Sequence, residues 1–215
     1  MPTGNAPTAA FARSRYPVDM PHRSRFGALL LAAVMAAGVV AGCAAGTPPS
    51  FDPTGACTSD GYVAGAYPEL EARLPTTYQG TGPGTLNSGR NCTSANLGVL
   101  AAYGFTEIRF AGATWSFGAE RAAVLAVFNA RGLTADKMAE FYARSAQVAS
   151  RTQIVATSTP TLAGRPGRRL DTKSGERLQT VVTWPSADAD YVNVVISNDL
   201  PDARIDDAVA AFGDR

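Results

Sequence analysis

Five basic residues form the clearest charge cluster of the chain: Arg165, Arg168, Arg169, Lys173 and Arg177. Arginine's planar fork suits phosphate, so the cluster fits phosphate or lipid headgroups. The competing reading is a solvated sheet face, with Asp171 and Glu176 interleaved to neutralise it. Asp188-Ala189-Asp190 offers two oxygen ligands to calcium but lacks the further acids and the glycine of a full calcium loop, so it reads as a hairpin turn. Glu69 with Glu71, and Asp206 with Asp207, are acid pairs whose members point in different directions along a helix; they read as surface carboxylates. Lys137 and Lys173 are the only lysines, and no Ser-x-x-Lys motif accompanies them. Trp115 and Phe117, in a glycine-flanked connection from Gly112 to Gly118, are either the wall of a small apolar pocket, with Tyr142 and Trp184, or plain core. No metal, cofactor or catalytic residue is expected.

The start of the chain explains why so little catalytic chemistry is on offer. Arg23-Ser24-Arg25 precedes an apolar stretch from Phe26 to Val40, which ends in Ala41-Gly42-Cys43. Basic residues, a short apolar run and small residues are the parts of a cleaved export signal, too short for a comfortable membrane span. Val40-Ala41-Gly42-Cys43 resembles the lipobox of bacterial lipoproteins. That resemblance implies that Cys43 receives a diacylglyceryl group and becomes the first residue of the mature chain, anchored to the cell membrane on its extracytoplasmic side. An uncleaved N-terminal anchor is the alternative; the Gly- and Ala-rich composition of the stretch argues against it. Met1 to Asp19 form a polar preface with Pro2, Pro7 and Pro17, and Met20 makes the better translation start.

Removal of residues 1–42 changes the inventory. The single histidine, His22, goes with them, and without it a Ser-His-Asp or Cys-His site, a His-ligated metal centre and an imidazole proton shuttle are excluded. Four arginines and one aspartate leave totals of 19 bases and 18 acids, so 15 and 17 remain. A surface of net charge about −2 argues against general nucleic-acid binding. With Cys43 assigned to lipid, Cys57 and Cys92 form an even pair in an oxidising compartment, at a spacing unlike a metal knuckle or a CxxC motif. They are expected to be disulfide-bonded, which would stabilise the fold by roughly 3–4 kcal/mol in the chain-entropy model; two buried free thiols are the other reading.

Residues 43–56 read as a tether and residues 57–215 as one α+β domain, an antiparallel sheet packed with helices. The expected elements are a short helix from Tyr67 to Leu74, a loop from Pro75 to Asn91, and a helix capped by Thr93 that runs to Gly104. Strands follow at Thr106 to Phe110 and Ala122 to Asn129. Thr134 then caps an amphipathic helix carrying Met138, Phe141, Tyr142 and Ala146. A four-stranded antiparallel meander is expected over Ile154 to Thr159, Gly167 to Thr172, Leu178 to Pro185 and Tyr191 to Ser197, with a closing helix from Pro201 to Phe212.

This order from Ala122 to Phe212, with the Gly164-Arg165-Pro166-Gly167 turn, resembles the PsbP-like α/β sandwich found in exported lipoproteins. The resemblance implies an accessory or binding protein rather than an enzyme. Two functions follow: a non-catalytic lipoprotein docking on an envelope partner, or a carrier or sensor holding an apolar or anionic small molecule at the membrane surface. A large exposed apolar patch would favour the first and a closed apolar cavity the second.

Overall fold

The structure, a computed structural model, describes residues 51–213. Cys43, the lipobox and the start at Met20 lie outside them. The elements in order are β1 (Gly61–Val63), α1 (Pro68–Glu71), β2 (Thr85–Asn91), α2 (Ser94–Leu97), α3 (Val99–Ala102), β3 (Ile108–Ser116), β4 (Ala122–Asn129) and α4 (Ala135–Val148). The second half adds β5 (Thr152–Ser158), the small hairpin β6 (Thr161–Leu162) and β7 (Arg165–Pro166), β8 (Arg168–Ser174), β9 (Arg177–Pro185), β10 (Tyr191–Asn198) and α5 (Asp202–Ala211). Eight strands form one antiparallel sheet in the order β1-β2-β3-β4-β10-β9-β8-β5. The fold is therefore α+β, a large antiparallel sheet packed against a few helices, and the expected meander is its β5-β8-β9-β10 half.

Strand alternation sends successive side chains to opposite faces, and both faces are covered. Ala111, Ala113 and Trp115 of β3, Leu125 and Val127 of β4, and Val182 and Trp184 of β9 share one core with Leu70, Leu74, Ile205, Val209 and Phe212. The Trp184 ring meets Phe212 edge-on at 5.1 Å. Thr183, between Val182 and Trp184, points the other way and donates its hydroxyl to the Ala135 carbonyl at 3.1 Å, which seats α4 on the second face. There α4 buries Met138, Tyr142 and Ala146, and its N-terminus is capped by Thr134 Oγ1 accepting from the Lys137 N–H.

Several expectations need correction. Pro75 to Asn91 is not all loop, because Thr85–Asn91 is a seven-residue strand between β1 and β3. Its glycine explains both the strand and its poor legibility. A Cβ at Gly89 would stand 2.2 Å from the Gly61 carbonyl and 2.5 Å from Tyr62 Cβ, so only glycine lets β1 come this close. The helix expected from Thr93 to Gly104 breaks into α2 and α3 at Gly98, whose φ of +51° lies in the left-handed region. The Gly112 to Gly118 connection does not exist as such: β3 runs to Ser116, and the turn to β4 begins at Phe117.

The disulfide Cys57–Cys92 is present, with Cα atoms 5.4 Å apart. The last residues assigned to the tether are held on the domain. Arg90, 4% exposed, donates to the carbonyls of Asp52 (3.0 Å), Gly55 (2.8 Å) and Ala56 (3.1 Å). Phe51 packs against the core.

Candidate docking cleft

Where α4 passes over the outer strands, it presents Ala139 and Ala143, whose small side chains do not fill the space above the sheet. The result is a cleft of about 270 Å³. Its walls are α4, with the ring of Tyr142, the end of β5 with Thr157 and Ser158, and Leu170 and Val181 of β8 and β9. Arg168 and Arg169 line it too. Tyr142 is 8% exposed, and its hydroxyl has no hydrogen-bond partner among the described residues. Burial drives that hydroxyl's pKa far above the ordinary tyrosine value, so it stays protonated as a potential donor.

The strand bounding the cleft is the last of the sheet. β5 bonds to β8 alone, and its outer side meets no strand among the described residues. From Gln153 to Ser158 every residue is exposed, including Ile154 at 38% and Val155 at 58%. Val148, at the end of α4 just before the strand, is 85% exposed. The strand Thr-Gln-Ile-Val-Ala-Thr-Ser has no charge and no proline. Natural edges are usually blunted by charge, proline or bulges. The one such device here is a bulge: the register steps from Ile154↔Thr172 to Ala156↔Asp171, leaving Val155 as the extra residue.

The basic cluster of the sequence is divided rather than gathered. Arg168 lies opposite Thr183 and so shares the α4 face, where its Nε stands 2.9 Å from Asp136. Arg169 lies opposite Val182 on the other face, bonded to Asp171 at 3.0 Å and to Asp202 at 2.7 Å. The Asp171 hydrogen bond is the main reason its pKa is raised further. Lys173 pairs with Glu176, and Arg177 pairs with Glu120 and Asp199. Arg165 sits on β7, partly buried, with Nη1 unpartnered. Four of the five charges thus face carboxylates of their own chain.

The aromatic pair stays together in the core with Trp184, while Tyr142 lies across the sheet under α4. Trp115 is 2% exposed within the core, its Nε1 donating to the Thr81 carbonyl at 2.9 Å, and Phe117 packs partly buried against that core. Tyr78 meets both rings edge-on. Asp188 is ion-paired with Arg73, and Asp190 accepts from the Gly132 N–H, so both serve the β9–β10 turn. Glu71 accepts from Ser88 Oγ and the Gly65 N–H, while Asp207 accepts from Gln79. Among the described residues no group of acids, cysteines or histidines is arranged to hold a metal ion. The β5 margin and its cleft were not singled out as a site from the sequence; the uncharged run Thr152–Ser158 is the signal that marks them.

No protein-family model matches this chain, and no curated protein matches it.

Proposed function

We propose that the protein is a non-catalytic accessory lipoprotein, anchored through lipid on Cys43 at the extracytoplasmic side of the cell membrane, which docks an envelope protein through its β5 margin. The observation that carries the reading is the exposed, uncharged edge strand with Ile154, Val155 and neighbouring Val148 turned to solvent. Two large apolar side chains on an unpaired edge strand, with Val148 at the end of the preceding helix, form the kind of surface that soluble monomers avoid unless it is used. The absence of histidine from residues 43–215 and the self-paired arginines support a binding role over a chemical one.

The test is a photo-crosslinking residue at Val155 in the full chain, expressed in its native membranes, with the exposed Arg131 as control position. A discrete protein adduct from Val155 and none from Arg131 is expected; no adduct at Val155 refutes docking at this margin. Lipid on Cys43 is read from the intact mass, and Cys43→Ala should move the protein out of the membrane fraction.

A second reading, a carrier of a small apolar or anionic molecule, is favoured by one observation: the unpartnered Tyr142 hydroxyl beside the cleft. A native mass exceeding the denatured mass by a few hundred daltons would support it.

A further inference from the structure

We infer that the β5 margin receives its partner by strand addition: an extended segment of another protein pairs with β5 as a ninth strand and places one apolar side chain in the cleft beneath α4. This deepens the docking reading above and rests on it. Unpaired backbone N–H and C=O groups along a strand edge are satisfied best by another strand, whose main chain supplies affinity while side-chain pockets supply selectivity. The register fixes which side chain that is. Thr157 lies opposite Leu170, and Ile154 opposite Thr172, both on the face covered by α4. A partner residue opposite Thr157 therefore projects to the α4 side, where Ala139, Ala143 and the Tyr142 ring leave the cleft open. At about 270 Å³ the space is ample for one apolar side chain.

The occupant is a different protein rather than a second copy. Val155, the bulged residue, is the midpoint of Thr152–Ser158. Two copies pairing about a two-fold axis at the strand centre would set bulge against bulge and break both ladders at the middle. An unbulged segment of another protein instead accommodates the single bulge as β8 does, running from the cleft at Thr157 past Val155. A partner strand long enough to pass Val155 brings its far end to Arg151, which is exposed and has no ion pair among the described residues, so the segment carries an acidic residue toward that end.

A display library of random linear dodecapeptides, selected on the full chain, tests this. The expected result is an enriched motif with an aliphatic residue, an acidic residue to one side of it and no proline between them. The selected peptide should slow amide exchange along β5, bind at least tenfold more weakly to Ala143→Leu, which fills the cleft, and lose affinity to Arg151→Glu. If Ala143→Leu fails to fold, Ala139→Val provides the same obstruction. No enriched motif, or peptides that bind Ala143→Leu equally well and leave β5 amides unprotected, overturns strand addition. A Val155 adduct to a foreign protein without β5 protection would overturn it while leaving docking intact, and a Val155 adduct between two copies of this chain would overturn the choice of occupant.

Discussion

The two edges of the sheet are finished in opposite ways. At the β1 edge the strand is three residues long, and the chain around it is secured by the disulfide at Cys92 and by Arg90, which gathers the carbonyls of Asp52, Gly55 and Ala56. Asp60 completes the closure, accepting from the N–H groups of Cys92 and Thr93 and from the Asn96 amide. Among the described residues the β5 edge has no disulfide, no charge within the strand and no covering segment, only a bulge. Stabilising interactions concentrate at one margin, and on the docking reading the longer, less secured margin is the one that receives the partner. Stability and binding should therefore respond to substitutions at different ends of the same sheet.

The largest effect on stability is expected at the closed end. Replacing Cys57 and Cys92 together by serine should lower the unfolding free energy by about 3–4 kcal/mol, read from urea denaturation under non-reducing conditions. Peptide binding at β5 should be unchanged in the fraction that stays folded. Next comes Gly89→Ala. Its new methyl would meet backbone at 2.2 Å, so β1 must separate from β2 at a cost of about 1–3 kcal/mol, with faster amide exchange at Tyr62 and Val63. A neutral Gly89→Ala would mean that β1 is not held as described.

A smaller effect separates the edges by pH. Burial raises the pKa of Asp60, but hydrogen bonds from Thr93, Cys92 and Asn96 outweigh it and leave the carboxyl below the ordinary aspartate value. A group whose folded pKa is depressed contributes stability that is complete above the unfolded value, near pH 4, and is lost as pH falls through the folded value. The closed edge should thus loosen first in acid, and Asp60→Asn should flatten that acid limb while costing about 1 kcal/mol at neutral pH, as an impaired cap does. An unaltered acid limb in Asp60→Asn would remove Asp60 from the closure.

The elements whose signals are local were legible in the sequence. Thr134 as a cap, with Met138, Tyr142 and Ala146 at helical spacing, marked α4, and turn residues between β-rich runs marked the meander. The closed edge was not legible beyond its cysteines. β2 reads as a loop because Asn87, Ser88, Gly89 and Asn91 are poor strand formers, and its burial of Arg90 contradicts any apolar pattern. What makes it a strand is the neighbour that Gly89 admits and the carbonyls that Arg90 collects, both of them tertiary facts. The open edge failed in the reverse sense. Ile154 and Val155 look like core residues, and nothing local tells an edge strand from a central one. The arginine cluster could not gather on one face, because Arg168 and Arg169 are consecutive on a strand and must face opposite ways.

The smallest expected change in stability carries the most functional weight. Val155→Lys places a charge on an exposed, bulged position, so unfolding should shift by no more than about 0.5 kcal/mol. The lysine would nonetheless supply the device that natural edges use to refuse a strand. Docking should then fail in a protein as stable as the parent, measured as loss of the selected peptide's binding alongside an unchanged urea midpoint. If Val155→Lys instead destabilises the fold by as much as Gly89→Ala, the β5 edge is holding structure rather than waiting for a partner, and the contrast between the two margins is lost.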